Sequence, residues 1–438
     1  MRTSKSLFAF LLIGCGKMPS ISDVDATVSE QVSTVVTVNW TTDEATVGYI
    51  EYGPTDAYGY QTALETDAST SHSQFVLMPA DTTMHYRVVV PVDDDTATSK
   101  GQEVTTGVLP AELPTLTVTG EGHDDYMAVP LLGGVTAPVV IGPDGEYLWY
   151  HFDERDLDVY RVRLSVDGES VLYNAASVSG DPAENSELVR VALDGSSEET
   201  IPLSLLAHDF VELPDGTITA MVVEYQDGVD GEEIRGDQLV EISADGTQSI
   251  IWSAWDCFDP EIDTVEETEF GWTFANALDY SEDEDAYYLS LRNFSSIVKI
   301  NRGTGACEWV FGGNSSTIEI DGNTFLHQHQ FQKTGDTFVV FDNEGGVGES
   351  RVLEYDFNED AGTAEAVWSY DADDPDIYVF VLGDVTRFDD GDTMVTWSIA
   401  GQIDRVDSSG EVLWKLNTDL GYAFGFNTLT ASPYAGDW

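Results

Sequence analysis

Two histidines, His327 and His329, stand two residues apart in the stretch "FLHQHQFQKTGDTFVVFDNEGG", just ahead of an alternating apolar run. A neutral imidazole is a nucleophile that needs no prior deprotonation near neutral pH, and the same ring can shuttle protons or bind a metal. Which of these applies depends on what the fold brings opposite them. A polar channel residue that only binds water is the competing reading of any single histidine.

The elements that position them form a repeat. From the middle of the chain onward one unit recurs: an apolar strand, a turn, a second strand, a segment such as "LVEISADG", and a last strand carrying a tryptophan. The tryptophans are Trp149, Trp252, Trp309, Trp368 and Trp414, spaced by 103, 57, 59 and 46 residues. The first gap holds an extra unit whose last strand, "EETIPL", lacks the indole, so there are six copies. All-strand units with a period of about fifty residues predict an all-β, six-bladed β-propeller, with the indoles packed between blades.

Registering the units on their first turn sets Tyr160, His208, Asn276, His329 and Gly383 at one position; the turn after His329 is shorter than the others. The first strand of each propeller blade lines the axial channel, so these side chains should converge. His327, two residues upstream of His329, shares its face by strand alternation and is expected as a channel neighbour or a support. His151 has no counterpart in this register. The same alignment places Cys257 after one tryptophan and Cys307 before another, toward opposite ends of equivalent strands. That offset is roughly 20 Å, beyond disulfide reach, so two free thiols are expected.

Ahead of the propeller, expected over residues 117–438, residues 24–108 alternate in short strands rich in Thr, Val and Tyr, which predicts a small β-sandwich. "VNWTTDEATVGYIEYG" and "TMHYRVVV" resemble fibronectin type III-like modules, and His72 and His85 read there as surface or strand residues. Residues 109–116, "LPAELPTL", read as a linker. Residues 1–14 pair Arg2 and Lys5 with an apolar run too short to span a bilayer, the pattern of an export signal. Its end, "LIGC", resembles the lipobox of bacterial lipoproteins, which implies lipidation of Cys15, a tether over 15–23 and a protein anchored in the cell envelope by lipid alone.

Eighty Asp and Glu against 18 Lys and Arg give a formal charge of -62. Carboxylates spread along the whole chain suit a hydrated surface in salty surroundings and exclude nucleic acid as a partner. "DYSEDEDA" and "DGVDGEE" lack the residue order of a calcium loop, and no carboxylate or thiolate completes a zinc set with the histidines, so no metal is expected.

"AHDFVELPDG", "NALDYSEDEDAYYLSLRNFSSIVKINRGTG" and "HQHQFQKTGDTFVVFDNEGG" together resemble the bacterial arylsulfotransferases, from about Asp124 onward. The resemblance implies ping-pong transfer of a sulfuryl group from a phenolic sulfate ester to an acceptor phenol, through a sulfated histidine and without the nucleotide donor PAPS or another cofactor. It implies His329 as nucleophile, His208 as a second channel histidine that protonates and deprotonates the phenols, and Asn276 and Arg292 as donors to the sulfuryl oxygens. Thr396 in "MVTWS" matches a channel threonine, while Tyr160 and His327 are expected to line the substrate. The pattern departs at Phe274, where the family has a histidine two residues before the asparagine. That aromatic ring can stack on an aryl group but carries no proton, which keeps two other readings open: an aryl sulfate hydrolase, and a lipid-tethered propeller that binds its ligand without turnover.

Overall fold

The computed structural model describes residues 18–120, 123–177, 182–228, 231–265, 270–345, 349–372, 377–419 and 421–434. The signal segment and Cys15 lie outside the described residues. The chain forms two compact units, one built mainly from Thr37–Val76 and Thr83–Thr105, the other from Val28–Val36, Leu77–Thr82 and the chain from Thr106 onward. Among the described residues no helix is long and apolar enough to cross a membrane.

The smaller unit is built on two sheets. One orders Ile21–Val28, Val35–Thr46 and Ser69–Leu77; the other orders Tyr60–Gln61, Tyr49–Gly53, Thr83–Val92 and Asp95–Thr98, with Gln102–Thr105 also on Thr83–Val92. Its first strand starts at Ile21, inside the stretch expected as tether, because Val24, Ala26 and Val28 alternate toward one face while Asp25 and Thr27 fill the other; Asp23, at φ +52, breaks the period between them and Ile21. His72 is not a surface residue. Its ring stacks on buried Trp40 at 4.8 Å, and Nδ1 lies 2.8 Å from a Glu65 carboxylate oxygen, which compensates the buried imidazole.

The larger unit contains six consecutive sheets, the blades of the propeller, antiparallel throughout except that Glu319–Asp321 joins the fifth in parallel with Thr363–Tyr370. The second is Asp158–Leu164, Ser170–Ala176, Glu187–Ala192 and Glu198–Pro202, and the third is Leu206–Glu212, Ile218–Asp227, Glu233–Ile242 and Gln248–Ser253. Ala275–Ser281 opens the fourth, Phe331–Thr334 the fifth and Asp384–Arg387 the sixth. The first blade takes its three outer strands from Tyr126–Tyr150, but its innermost position is filled by Ala423–Phe424 and Thr428–Thr430, which pair with Tyr126–Leu132. In the other direction, Leu116–Gly120 pairs with Val412–Thr418 as the outermost strand of the sixth blade. Ring closure is thus hydrogen-bonded at both ends of the sequence repeat.

The tryptophans of successive blades pack or hydrogen-bond against the blade that follows. Trp149 donates to Leu193 O in the next blade, Trp368 donates to Ser408 O, and Trp309 packs 5.1 Å from Phe357. Trp252 points at the next blade too, and this is where the thiol expectation fails. Cys257 and Cys307 form a disulfide with Cα atoms 6.1 Å apart. The strand ends at Ser253, whose side chain caps the 3₁₀ turn Ala254–Asp256, so Cys257 folds back instead of continuing along the strand. Trp252 Nε1 consequently lies 3.1 Å and 3.3 Å from the two sulfurs.

The bridge closes a loop of sequence separation 50. Cys307→Ala should therefore lower unfolding stability by about 2–4 kcal/mol in chemical denaturation under non-reducing conditions. An unchanged midpoint would mean that the bridge does not constrain the unfolded chain.

Candidate active site

The channel position is built by a repeated irregularity. Strand register breaks between Val159 and Val162 in the second blade, between Leu206 and Phe210 in the third, and between Ala275 and Ala277 in the fourth. In the fifth, His329 N–H donates to Phe341 O at 3.2 Å while Gln330 O accepts from Phe341 N at 2.9 Å, so two residues oppose one. A bulge bends the strand and lets neighbouring side chains point the same way. Tyr160 with Arg161, His208 with Asp209 and His329 with Gln330 accordingly supply two successive layers around the axis.

The upper layer holds the predicted ring. Tyr160 and His208 have ring centres 5.2 Å apart, and His208 and His329 are 6.5 Å apart and nearly perpendicular. Phe426 completes it, 6.4 Å from His208 and 6.2 Å from His329, with its N–H donating to Tyr160 O. In the lower layer Arg161 clamps both oxygens of Asp209 at 3.0 Å and reaches Asp384 at 3.3 Å and Asn427 O at 2.9 Å. Gln330 Nε2 also donates to Asp209, at 3.0 Å. Burial alone would raise the Asp209 carboxyl; Arg161 and Arg163 outweigh it and hold it below the ordinary range.

The hydrogen bonds decide the tautomers. Asn343 Nδ2 donates to Val379 O at 2.7 Å and Leu382 O at 2.8 Å, so its Oδ1 faces His329 as an acceptor. His329 Nδ1, 2.8 Å away, must carry the hydrogen, which leaves the Nε2 lone pair unprotonated. His208 Nδ1 donates to Ala275 O at 3.2 Å with the same consequence. Burial, reinforced by Arg235 and Arg292, pulls His208 down to about 3. Burial, with His208 and Arg292 nearby, takes His329 well below the usual imidazole value. Both rings are neutral near pH 7.

Phe274 occupies the middle of this arrangement. It has φ +50, in the left-handed region, and its ring stands edge-on to His208 at 5.0 Å. The turn is held by buried Asp237, which accepts from Thr273 Oγ1 at 2.6 Å and from Ala275 N at 2.8 Å. Two guanidinium groups flank the ring, Arg292 at 5.9 Å and Arg235 at 5.8 Å. Arg292 lies in the 3₁₀ turn Arg292–Phe294, buried, its N–H donating to Phe274 O.

Other expected residues sit differently. Asn276 donates its Nδ2 to Gln328 O at 2.7 Å and so anchors the segment carrying His329; its buried Oδ1 has no hydrogen-bond partner among the described residues. His327 does not share a strand face with His329. It precedes the strand, has φ +53, and turns its Nδ1 to Glu344 at 2.6 Å. Glu344 in turn lies 4.0 Å from Arg292. Thr396 is buried in the second strand of the sixth blade, paired with Asp384, and its Oγ1 has no hydrogen-bond partner among the described residues. Sequence reasoning passed over Asn343, Arg235 and Phe426. The first two lie outside the register of inner strands. Phe426 follows the last tryptophan unit, though counting blades against inner strands would have called for it. Among the described residues no group of three or more His, Cys, Asp or Glu could hold a metal ion.

The tautomer and burial arguments give a pH signature. An unfolded imidazole binds its proton below about pH 6.5, whereas folded His208 does so only near 3, so stability should fall as pH drops through that window. In histidine side-chain NMR the His208 resonances should stay at their neutral positions from about pH 7.5 to about pH 5, where ordinary imidazoles titrate. A midpoint near 6.5 would contradict the buried, donor-only environment.

Comparison with known proteins extends this picture. Residues 137–413, more than half of the chain, match the model of the family described as arylsulfotransferase (ASST). The arylsulfate sulfotransferase AssT of Escherichia coli O6:H1 (strain CFT073) is 22% identical over 364 residues, which cover 64% of this chain and 60% of that protein. The chain thus spans less than two thirds of that relative. Similar solved structures include a virginiamycin B lyase from Staphylococcus aureus, 11% identical with TM-score 0.38, covering 72% of this chain and 99% of that one. They also include the β-propeller domain of Cps50 (Swd1) from Myceliophteria thermophila, 9% identical with TM-score 0.39, covering 68% and 86%. On the extent of the family match, the chain belongs to the arylsulfotransferase family.

Proposed function

We propose that this protein is an aryl-sulfate sulfotransferase that moves a sulfuryl group from a phenolic sulfate ester to an acceptor phenol by two displacements on His329. The observation that carries the reading is the Asn343 amide, doubly anchored, holding His329 Nδ1–H so that Nε2 is the free nucleophilic atom. In the first displacement the Nε2 lone pair forms the N–S bond as the ester S–O bond breaks and the phenolate leaves. The imidazolium so formed keeps its Nδ1 hydrogen on Asn343, whose carbonyl dipole offsets the new charge. In the second, the acceptor hydroxyl gives its proton to His208 Nε2, its oxygen bonds to sulfur, and the N–S bond breaks to restore neutral His329.

A His208 that is neutral at rest suits the role of base in the second step. With its proton affinity held down to about 3, His208 passes that proton on to solvent, and the donor's phenolate leaves as the anion. Arg292 supplies fixed positive charge for the sulfuryl oxygens, and Tyr160, Phe274 and Phe426 supply an apolar wall for the aryl ring. The signal segment and Cys15 support an exported protein that meets its donor and acceptor in the cell envelope, held there by lipid. Phe274 in the place of a polar family residue favours a second reading, ligand binding without turnover.

One set of measurements separates the two. Purified protein given an aryl sulfate donor and a phenol should transfer the group, and with donor alone His329 should carry the mass of one SO₃. His329→Ala should lose both, by at least about 10³-fold in rate. Asn343→Asp keeps the acceptor but adds negative charge, so it should raise the His329 proton affinity and bring an acid limb into the kcat/KM profile. Donor binding without label or transfer in the wild-type protein would leave the binding reading.

A further inference from the structure

Glu344 is the charged group beside the site that the two displacements do not use. It directly follows Asn343, and its carboxylate is held in place: its N–H donates to Leu326 O at 3.2 Å, Oε2 lies 2.6 Å from His327 Nδ1, and Oε1 accepts from the Tyr378 hydroxyl at 3.3 Å. The same Oε1 is 4.0 Å from Nη2 of buried Arg292. A free surface carboxylate would swing away from an anion approaching that arginine; this one is tied to His327 and Tyr378. Arg235, the other guanidinium against the Phe274 ring, has Asp237 two residues along its own strand. Burial raises the Asp237 carboxyl, and the hydrogen bonds from Thr273 and Ala275 together with the Arg235 charge work against the rise. Each guanidinium beside the ring thus comes with a carboxylate, while both imidazoles are neutral.

A carboxylate held this close limits the charge that a ligand can bring. An oxygen accepting from Arg292 Nη2 at about 2.9 Å lies within about 7 Å of Glu344 Oε1, inside a Debye length. The potential there is that of the guanidinium less that of the carboxylate. Coulomb attraction grows in proportion to the ligand's charge, whereas the cost of leaving water grows with its square. In a weakened potential one charge is favourable and a second costs more than it returns. A sulfate monoester carries one negative charge; a phosphate monoester has the same tetrahedral outline and, with a second pKa of about 6, nearly two at neutral pH. We infer that Glu344 is a specificity-determining residue, which lowers the potential beside Arg292 so that the site takes sulfate monoesters in preference to phosphate monoesters of the same shape. The inference rests on the proposed function for an aryl anion at Arg292, and not on turnover.

Calorimetry with benzenesulfonate and phenylphosphonate tests it, because neither compound can give up its group. In alkaline buffer the phosphonate is a dianion and should bind the wild-type protein about tenfold or more weakly than the sulfonate. In mildly acidic buffer, where it regains one proton, the two should bind alike; the sulfonate keeps one charge throughout and so reports any titration of the protein itself. Glu344→Gln raises the potential, which benefits the dianion twice as much as the monoanion, and should bring the alkaline gap down to about threefold or less. Glu344→Asp should keep most of it. The acidic arm tests the charge rule in the wild-type protein, independent of how the variants fold. An alkaline gap that is absent from the wild-type protein, that persists in acid, or that is unchanged in Glu344→Gln overturns the inference. The expected pattern in a protein that transfers nothing upholds the charge selectivity and removes the transferase. Transfer from phenyl sulfate with equal binding of the two compounds does the reverse.

Discussion

Arg161 and Asp209 form the contact on which the site depends. The guanidinium meets both carboxylate oxygens and, through its third nitrogen, reaches the sixth blade and the closing strand, while Gln330 joins Asp209 from the fifth. Removing two charges from water is costly, and mutual attraction compensates only when geometry and extra hydrogen bonds are good. Here every participant follows directly a residue of the upper ring: Arg161 after Tyr160, Asp209 after His208, Gln330 after His329. The two histidines are thus tied together one residue below them by the Gln330 hydrogen bond to Asp209, whose carboxylate Arg161 holds in place, a link that no single blade could make.

Above that floor the electrostatics run opposite to those of the whole molecule. The chain carries a formal charge of -62, yet the upper ring is bordered by Arg235 and Arg292, and the group bonded to His329 is a neutral amide. A carboxylate in the place of Asn343 would make His329 a stronger base and a poorer resting nucleophile, because more of it would be protonated. The amide fixes the tautomer without that penalty. The anionic ester proposed as donor would meet repulsion at long range, screened by salt, and attraction only inside the channel.

Much of this was legible in the sequence, for reasons tied to particular residues. The tryptophans recur because each outer strand meets the next blade in the same way, so their spacing reports blade number even though the separations vary. His208 and His329 could be aligned because they lie eight and six residues ahead of a turn glycine, and Asn276 lies a like distance ahead of the acidic turn over residues 282–285. What escaped has a common physical origin in contacts that local pattern does not encode. Cys257 reaches Cys307 through a capped 3₁₀ turn that reverses the strand direction. His327 leaves the alternation through a left-handed backbone angle. Asn343 and Arg235 act from a second and a third strand, where side chains usually serve packing, and only the assembled ring shows what they face.

The position of Phe426 has a consequence for biogenesis. The wall that closes the histidine pocket comes from the segment between Ala423 and Thr430, which is synthesised after every blade it completes and then pairs with residues some three hundred positions earlier. A nascent chain that has folded five blades still lacks that wall and holds its imidazoles beside an open gap. The pocket is in this way incomplete until the sixth repeat and the segment after it have joined the ring, an order that follows from topology alone.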